Sequence, residues 1–386
     1  MWQLVQHYLG FLSAPYTEVV SLYRSLLTGA HKPLPRWQMC IRTTNTFFGH
    51  LLDSLYYAER SKTLAGGEDR VGEVQRIFAG VRQAVASRVA ASSAFDYHSR
   101  QAAVDKLHAM GVQVGTPDIL QDRKFLKIMY KDFSVQKTDF FQNILYGMAF
   151  TRKREEHSLV SPGEETRWLP ALLASSVSYV PSANKVVVPE YLLQPPLFSP
   201  SYPVQVNLGG LGVMLAQAVA EGAAGRGAVF TAAGRLLGGA GQASNYTLGR
   251  GAEAGGALRV ASACLTEQWG AAGLDTPDML ARSERDSVLG LAALETTLTA
   301  LSSFLHAEGG TLLPALETMD PQAVLLLQHA RLQCQVYTLQ ARDLARTVSA
   351  RLLARERLLG QLGQLPDFHH YFFCDEPTGR QCGPVL

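Results

Sequence analysis

The chain has 386 residues, 47% of them hydrophobic and 18% charged, with a formal net charge of +2. That length supports two domains, and the composition builds large cores rather than a disordered chain. The near-neutral balance excludes an electrostatic case for nucleic acid or an anionic membrane surface.

From Trp2 to about Thr138 the pattern is helical. Residues 15–28 place Val19, Leu22, Leu26 and Leu27 at helical spacings, and residues 39–60 and 71–110 continue in the same way. Gly111–Pro117 reads as a punctuated turn, and Asp118–Met148 as further helices. The basic run Arg152-Lys153-Arg154 is followed at once by Glu155 and Glu156 and reads as a solvated helix end or loop. Val177–Pro189 reads as one or two short strands, placed at a sheet edge by Pro181 and Pro189. A long apolar helix is expected over Gly209–Ala224, then loop or weak structure over the Gly- and Ala-rich residues 225–256. Ala281–Leu305 and Pro321–Leu365 read as strongly helical, and the tail from Pro366 as compact.

The opening heptapeptide lacks the basic and apolar regions of a secretory signal. The longest uncharged run, Tyr191–Ala220, carries four prolines and is not expected to span a membrane. The five cysteines form no C-x-x-C pair, so a structural zinc or a thioredoxin-like site is not indicated. His369-His370 and Glu155-Glu156-His157 read as surface or half-buried groups rather than ligand sets, and no G-x-S-x-G elbow supports a serine nucleophile. The sequon Asn245-Tyr246-Thr247 offers a glycosylation acceptor compatible with secretion.

Asn184-Lys185-Val186-Val187-Val188-Pro189 leading to Leu193-Gln194-Pro195-Pro196-Leu197-Phe198 resembles the N-x-I-V-F-P…L-Q-P-P-F-F stretch of the neprilysin and endothelin-converting-enzyme family. Asn207-Leu208-Gly209-Gly210-Leu211-Gly212 then resembles that family's N-Y-G-G-I-G. Arg36-Trp37…Cys40, Leu107–Asp118, Trp168, Arg357-Leu358-Leu359-Gly360 and the closing Phe372-Phe373-Cys374…Cys382 keep the same order, so the resemblance runs from about Tyr8 to Cys382. It implies a mainly α, two-domain architecture with a thermolysin-type helical catalytic domain and a small β-sheet. Residues 1–138 would be the C-terminal part of the family's N-terminal region, and 139–386 its catalytic-type domain.

In that family a helical H-E-x-x-H holds zinc through two His one turn apart, and the intervening Glu serves as general base to a metal-bound water. Counted from Gly209-Gly210, the first His position is Gln217, the base position Ala218 and the second His position Glu221. The third ligand, a Glu in E-N-x-x-D, falls at Ser283, and the Asp that holds a ligand His falls at Ser287. A shift of one residue offers Glu284 instead. Gln is a poor zinc ligand, Ala218 cannot accept a proton and Glu221 alone cannot hold the ion. The expectation is therefore a catalytically inactive homologue that needs no cofactor where active relatives use zinc, and that binds extended peptides or proteins. The alternatives are an active zinc metalloendopeptidase with an atypical site, and a remnant without function.

The family's substrate-contacting N-A-Y-Y strand falls at Ser176-Val177-Ser178-Tyr179, its oxyanion-stabilising His near Arg351, and its substrate-binding Arg at Arg357. The resemblance implies a Cys264–Cys382 disulfide, and places the partners of Cys40, Cys334 and Cys374 in an N-terminal half outside this chain. It further implies an extracellular protein or the ectodomain of a membrane protein, with this chain a truncated product or an incomplete coding sequence.

Overall fold

The computed structural model describes residues 8–63, 69–93, 95–160, 176–224, 226–237, 263–265, 267, 277–308, 317–347, 353–374 and 382. In chain order the first elements are α1 (Ala14–Thr28), α2 (Arg36–Thr63), α3 (Arg70–Ala91), α4 (Tyr97–His108), β1 (Gly111–Val114), α5 (Arg123–Met129) and α6 (Phe140–Val160). Strands β2 (Ser178–Val180) and β3 (Lys185–Val188) follow, then a short α7 (Val204–Asn207), a π-helical turn (Leu208–Gly212) and α8 (Val213–Ala224). The chain continues with α9 (Pro277–Glu308), α10 (Pro321–Leu332), α11 (Leu339–Thr347), α12 (Ala354–Leu362) and α13 (Phe368–Phe372).

Two compact units interleave along the sequence. One is built from Met1–Gly66, Thr116–Ala174 and Val336–Ala345, the other from Gly67–Gly115, Ser175–Gln335 and Arg346–Leu386. In the first unit α1 starts with Pro15 in its first turn and stops at Gly29, whose φ of 66° supplies the left-handed cap. None of its residues is buried, and Val19, Leu22 and Leu26 stand exposed. Helix α2 is kinked at Phe48, and the Phe48 ring packs edge-on against Phe133 at 4.5 Å and beside Tyr130.

The second unit carries the larger core. Helix α8 is apolar nearly all round, as a fully enclosed helix must be, and packs along α9, whose Leu291, Ala292, Ala293 and Leu294 are all buried. Asp69 and Asp96 cap α3 and α4 by accepting from first-turn amides. An ion pair between Arg88 and Glu295 ties α3 to α9. A three-stranded sheet lies beside this core in the order β1-β3-β2, with β1 parallel and β2 antiparallel to β3.

The sheet corrects two sequence expectations. Gly111-Val112-Gln113-Val114 is a strand rather than a turn, and it gives β3 a neighbour on each side, so β2 and not β3 lies at the edge. Pro181 and Pro189 flank the ladder without entering it and so do not exclude a central position. The expected unbroken helix over 321–365 is in fact α10, α11 and α12, interrupted after Leu332 and again before Ala354. Two helical stretches, Val204–Val229 and Ser287–Ala307, are apolar and long enough to cross a membrane; 82% and 61% of these windows lie inside the core.

Candidate functional site

The Asn-Leu-Gly-Gly-Leu-Gly segment sets the start of α8 by close packing. Asn207 is fully buried; its Oδ1 accepts from the Ser199 amide at 3.1 Å and its Nδ2 donates to the Ser199 carbonyl at 2.8 Å. A Cβ on Gly209 would lie 2.3 Å from the Leu325 carbonyl oxygen of α10, and one on Gly210 would lie 2.1 Å from that of Leu197. Only glycine allows both backbones so near. The Gln194-Pro195-Pro196 turn is held from the same helix, where Gln328 Nε2 donates to the Pro196 carbonyl at 2.6 Å.

Helix α8 then presents Gln217 and Glu221 one turn apart, both half-buried, with the methyl of Ala218 only 4% exposed. Glu221 Oε1 accepts from Arg226 Nε at 2.8 Å, so its carboxylate is already partnered just beyond the end of the helix. Burial, assisted by the Glu221 charge, pushes the Tyr179 phenol well above its ordinary value. Tyr179 is therefore a neutral donor, and its hydroxyl bonds Asn184 Oδ1 at 3.0 Å.

On the facing helix Ser287 is fully buried, and its Oγ has no hydrogen-bond partner among the described residues. Its carbonyl accepts from Gln361 Nε2 of α12 at 3.0 Å. Ser283 lies within α9, but its side chain falls outside the described residues, as do Trp168, Asn245 and Arg351. Ser176 is exposed two residues before the edge strand β2, whereas Val177 is buried in the core.

Arg357 is half-buried on α12, and its Nη2 donates to Gln333 Oε1 at 2.9 Å. The Gln333 amide nitrogen in turn meets His329 Nε2, one helical turn back on α10. Burial first, then the Arg357 charge, lowers the His329 pKa from 6.5 to about 4, against a backbone bond to Gly209 that raises it. The imidazole is thus neutral, and its bare Nε2 fixes the Gln333 amide so that the oxygen faces Arg357. Sequence reasoning singled out Arg357 and missed this relay. Its signal was a His and a Gln four apart on a helix, with nothing nearby in sequence to indicate Arg357 as the third member. Cys264 and Cys382, for which the resemblance implies pairing, are bonded with Cα atoms 5.5 Å apart; Cys40, Cys334 and Cys374 are free and exposed.

These side chains do not fit zinc. Among the described residues no three His, Cys, Asp or Glu converge as a ligand set. The donors at the motif positions are one neutral amide and one carboxylate held by Arg226, with a buried methyl where a base would stand. The resemblance would place Ser287 where an Asp orients a ligand His; its hydroxyl has no partner among the described residues, and no His is on α8 to be oriented.

The buried apolar helix after a Gly-Gly turn, crossed by a second core helix and flanked by a short sheet, defines a zinc-metallopeptidase-type fold. The chain matches the family description "Peptidase family M13" over residues 1–117 for its N-terminal region and 177–380 for its peptidase region, and it belongs to that family. It is 24% identical to membrane metallo-endopeptidase-like 1 of Mus musculus over all of this chain and 49% of that protein. It is 22% identical to endothelin-converting enzyme 1 of Bos taurus over all of this chain and 49% of that protein. The chain thus spans about half the length of these relatives. Among solved structures it resembles the zinc metalloprotease Zmp1 of Mycobacterium tuberculosis, with a TM-score of 0.79 and 20% identity, covering 97% of this chain and 54% of that one. PepO of Lactobacillus rhamnosis gives a TM-score of 0.74 at 17% identity, covering 98% and 55%. These structural likenesses carry the fold.

Proposed function

We propose that this chain is a peptide- or protein-binding homologue of the M13 metallopeptidases that does not hydrolyse peptide bonds. The observation that supports it most is the helix α8 itself, with Gln217, a buried Ala218 and an Arg226-bound Glu221 on the face where two imidazoles and a carboxylate base would be needed. Removing one member of such a unit costs orders of magnitude in rate, and here each position is changed. What remains suits binding. Among the described residues β2 is an edge strand that can pair with an extended peptide, and Ser176 lies two residues before it. Arg357 is oriented by Gln333 with donors left to meet a peptide carbonyl or carboxylate.

The disulfide favours an oxidising compartment, and relatives named as membrane metallo-endopeptidase-like and endothelin-converting enzymes favour an extracellular protein or an ectodomain. The exposed stripe of α1 and the exposed Cys40, Cys334 and Cys374 are surfaces for the polypeptide that those relatives carry beyond the matched half. Glycosylation at Asn245 belongs to the same proposal. The test uses a fluorogenic peptide library with and without a zinc chelator, alongside peptide binding measured by fluorescence anisotropy. The expected result is saturable binding without chelator-sensitive cleavage; turnover abolished by chelator would overturn the proposal.

A further inference from the structure

Arg357 is a half-buried cation that no carboxylate among the described residues answers. Glu356 beside it is taken by Arg346 and by the Leu353 amide. The guanidinium carries five N–H donors in one plane. Its Nη2 spends one of them on Gln333 Oε1, at 2.9 Å. The two hydrogens of Nη2 belong to different edges of the group, so one edge keeps two parallel N–H donors. That fork matches a carboxylate, which accepts from both and neutralises the charge. A peptide carbonyl would accept from one and leave the charge unanswered.

Two side chains fix where that fork stands. His329 Nε2 faces the Gln333 amide nitrogen, a donor, so this ring nitrogen is bare. The ring is also bonded to the Gly209 backbone, in the turn that packs closely against α10. With its N–H directed at the imidazole, Gln333 has only its oxygen left for Arg357. A neutral amide orients the cation without cancelling it, and the full charge is kept for a ligand.

We infer that His329 and Gln333 are positioning residues that present the free edge of Arg357 to a carboxylate of a bound peptide, its chain end or an acidic side chain. The inference rests on the peptide-binding reading above and narrows what Arg357 recognises within it.

The experiment measures fluorescence anisotropy of three labelled forms of one apolar hexapeptide on the intact protein. One has a free C-terminal carboxylate, one is amidated, and one is amidated with a single central Glu. One of the two carboxylate-bearing forms is expected to bind about tenfold tighter than the plain amide, and which one does identifies the source of the group. Arg357→Lys keeps the charge but loses the fork, and is expected to lower that ratio several-fold. His329→Phe, and independently Gln333→Met, are expected to bring it close to one with the native circular dichroism retained. A merely structural role for either residue would weaken all three peptides together and leave the ratio standing, which would overturn the positioning role. Equal wild-type affinity for all three forms would overturn the inference while sparing the peptide-binding reading; no binding of any form would sink both.

Discussion

Loss of the Cys264–Cys382 bond offers a direct test of how the tail is held. The bond closes a loop of 118 residues, and the chain-entropy relation for such a loop gives about 5 kcal/mol of stabilisation at 25 °C. Among the described residues of the tail, the Cys382 amide donates to Gln364 Oε1 at 2.8 Å, one hydrogen bond of about 1 kcal/mol. Cys264→Ala with Cys382→Ala is therefore expected to lower the urea midpoint of the second unit by an amount equivalent to about 3–5 kcal/mol. The assay is urea unfolding followed by tryptophan fluorescence and far-UV circular dichroism, with the wild type reduced by dithiothreitol as a second route to the same state. A loss below about 1 kcal/mol in both would refute the reasoning, because the tail would then be anchored by packing alone.

Gly210→Ala forces a methyl against the Leu197 carbonyl and should cost about 1–3 kcal/mol by thermal unfolding, with the far-UV spectrum otherwise native. His329 has a folded pKa of about 4 against 6.5 when unfolded, so between those values the unfolded chain binds a proton that the folded chain does not. Stability should therefore fall as pH drops from 6.5 toward 4, and His329→Phe should flatten that slope in acid titrations monitored by urea midpoint. Gln217→His, Ala218→Glu, Glu221→His and Ser283→Glu together are expected to recover about one zinc per chain by elemental mass spectrometry; a folded variant without zinc would mean that the third-ligand position is misplaced.

What the sequence disclosed, it disclosed through spacing. The pairs Gly209-Gly210 and Pro195-Pro196 carried the family resemblance, and the structure supplies a cause for the glycines in the two carbonyl oxygens packed against them. The helices α1, α3 and α9 followed from apolar periodicity because each is long enough for the 3.6-residue repeat to register, and α8 followed from its apolar run. Strand β1 escaped notice because four residues between Met110 and Gly115 hold one alternation, and its pairing with β3 lies more than seventy residues away. The break after Leu332 was invisible because Gln333–Thr338 contains neither glycine nor proline.

At the site, substituted positions were countable from the sequence, but their present partners were not. Arg226 reaches Glu221 from past the helix end, outside any i, i+4 rule. Gln333 reaches Arg357 across two interruptions of helix.

The central claim is that α8 keeps the family's packing while lacking its metal chemistry. Elemental mass spectrometry of the purified, folded chain after dialysis against zinc-containing and then zinc-free buffer tests it most directly. The account predicts zinc well below one ion per chain. Close to one ion retained per chain would contradict it, and would mean that a ligand set assembles from side chains other than Gln217, Glu221 and Ser287.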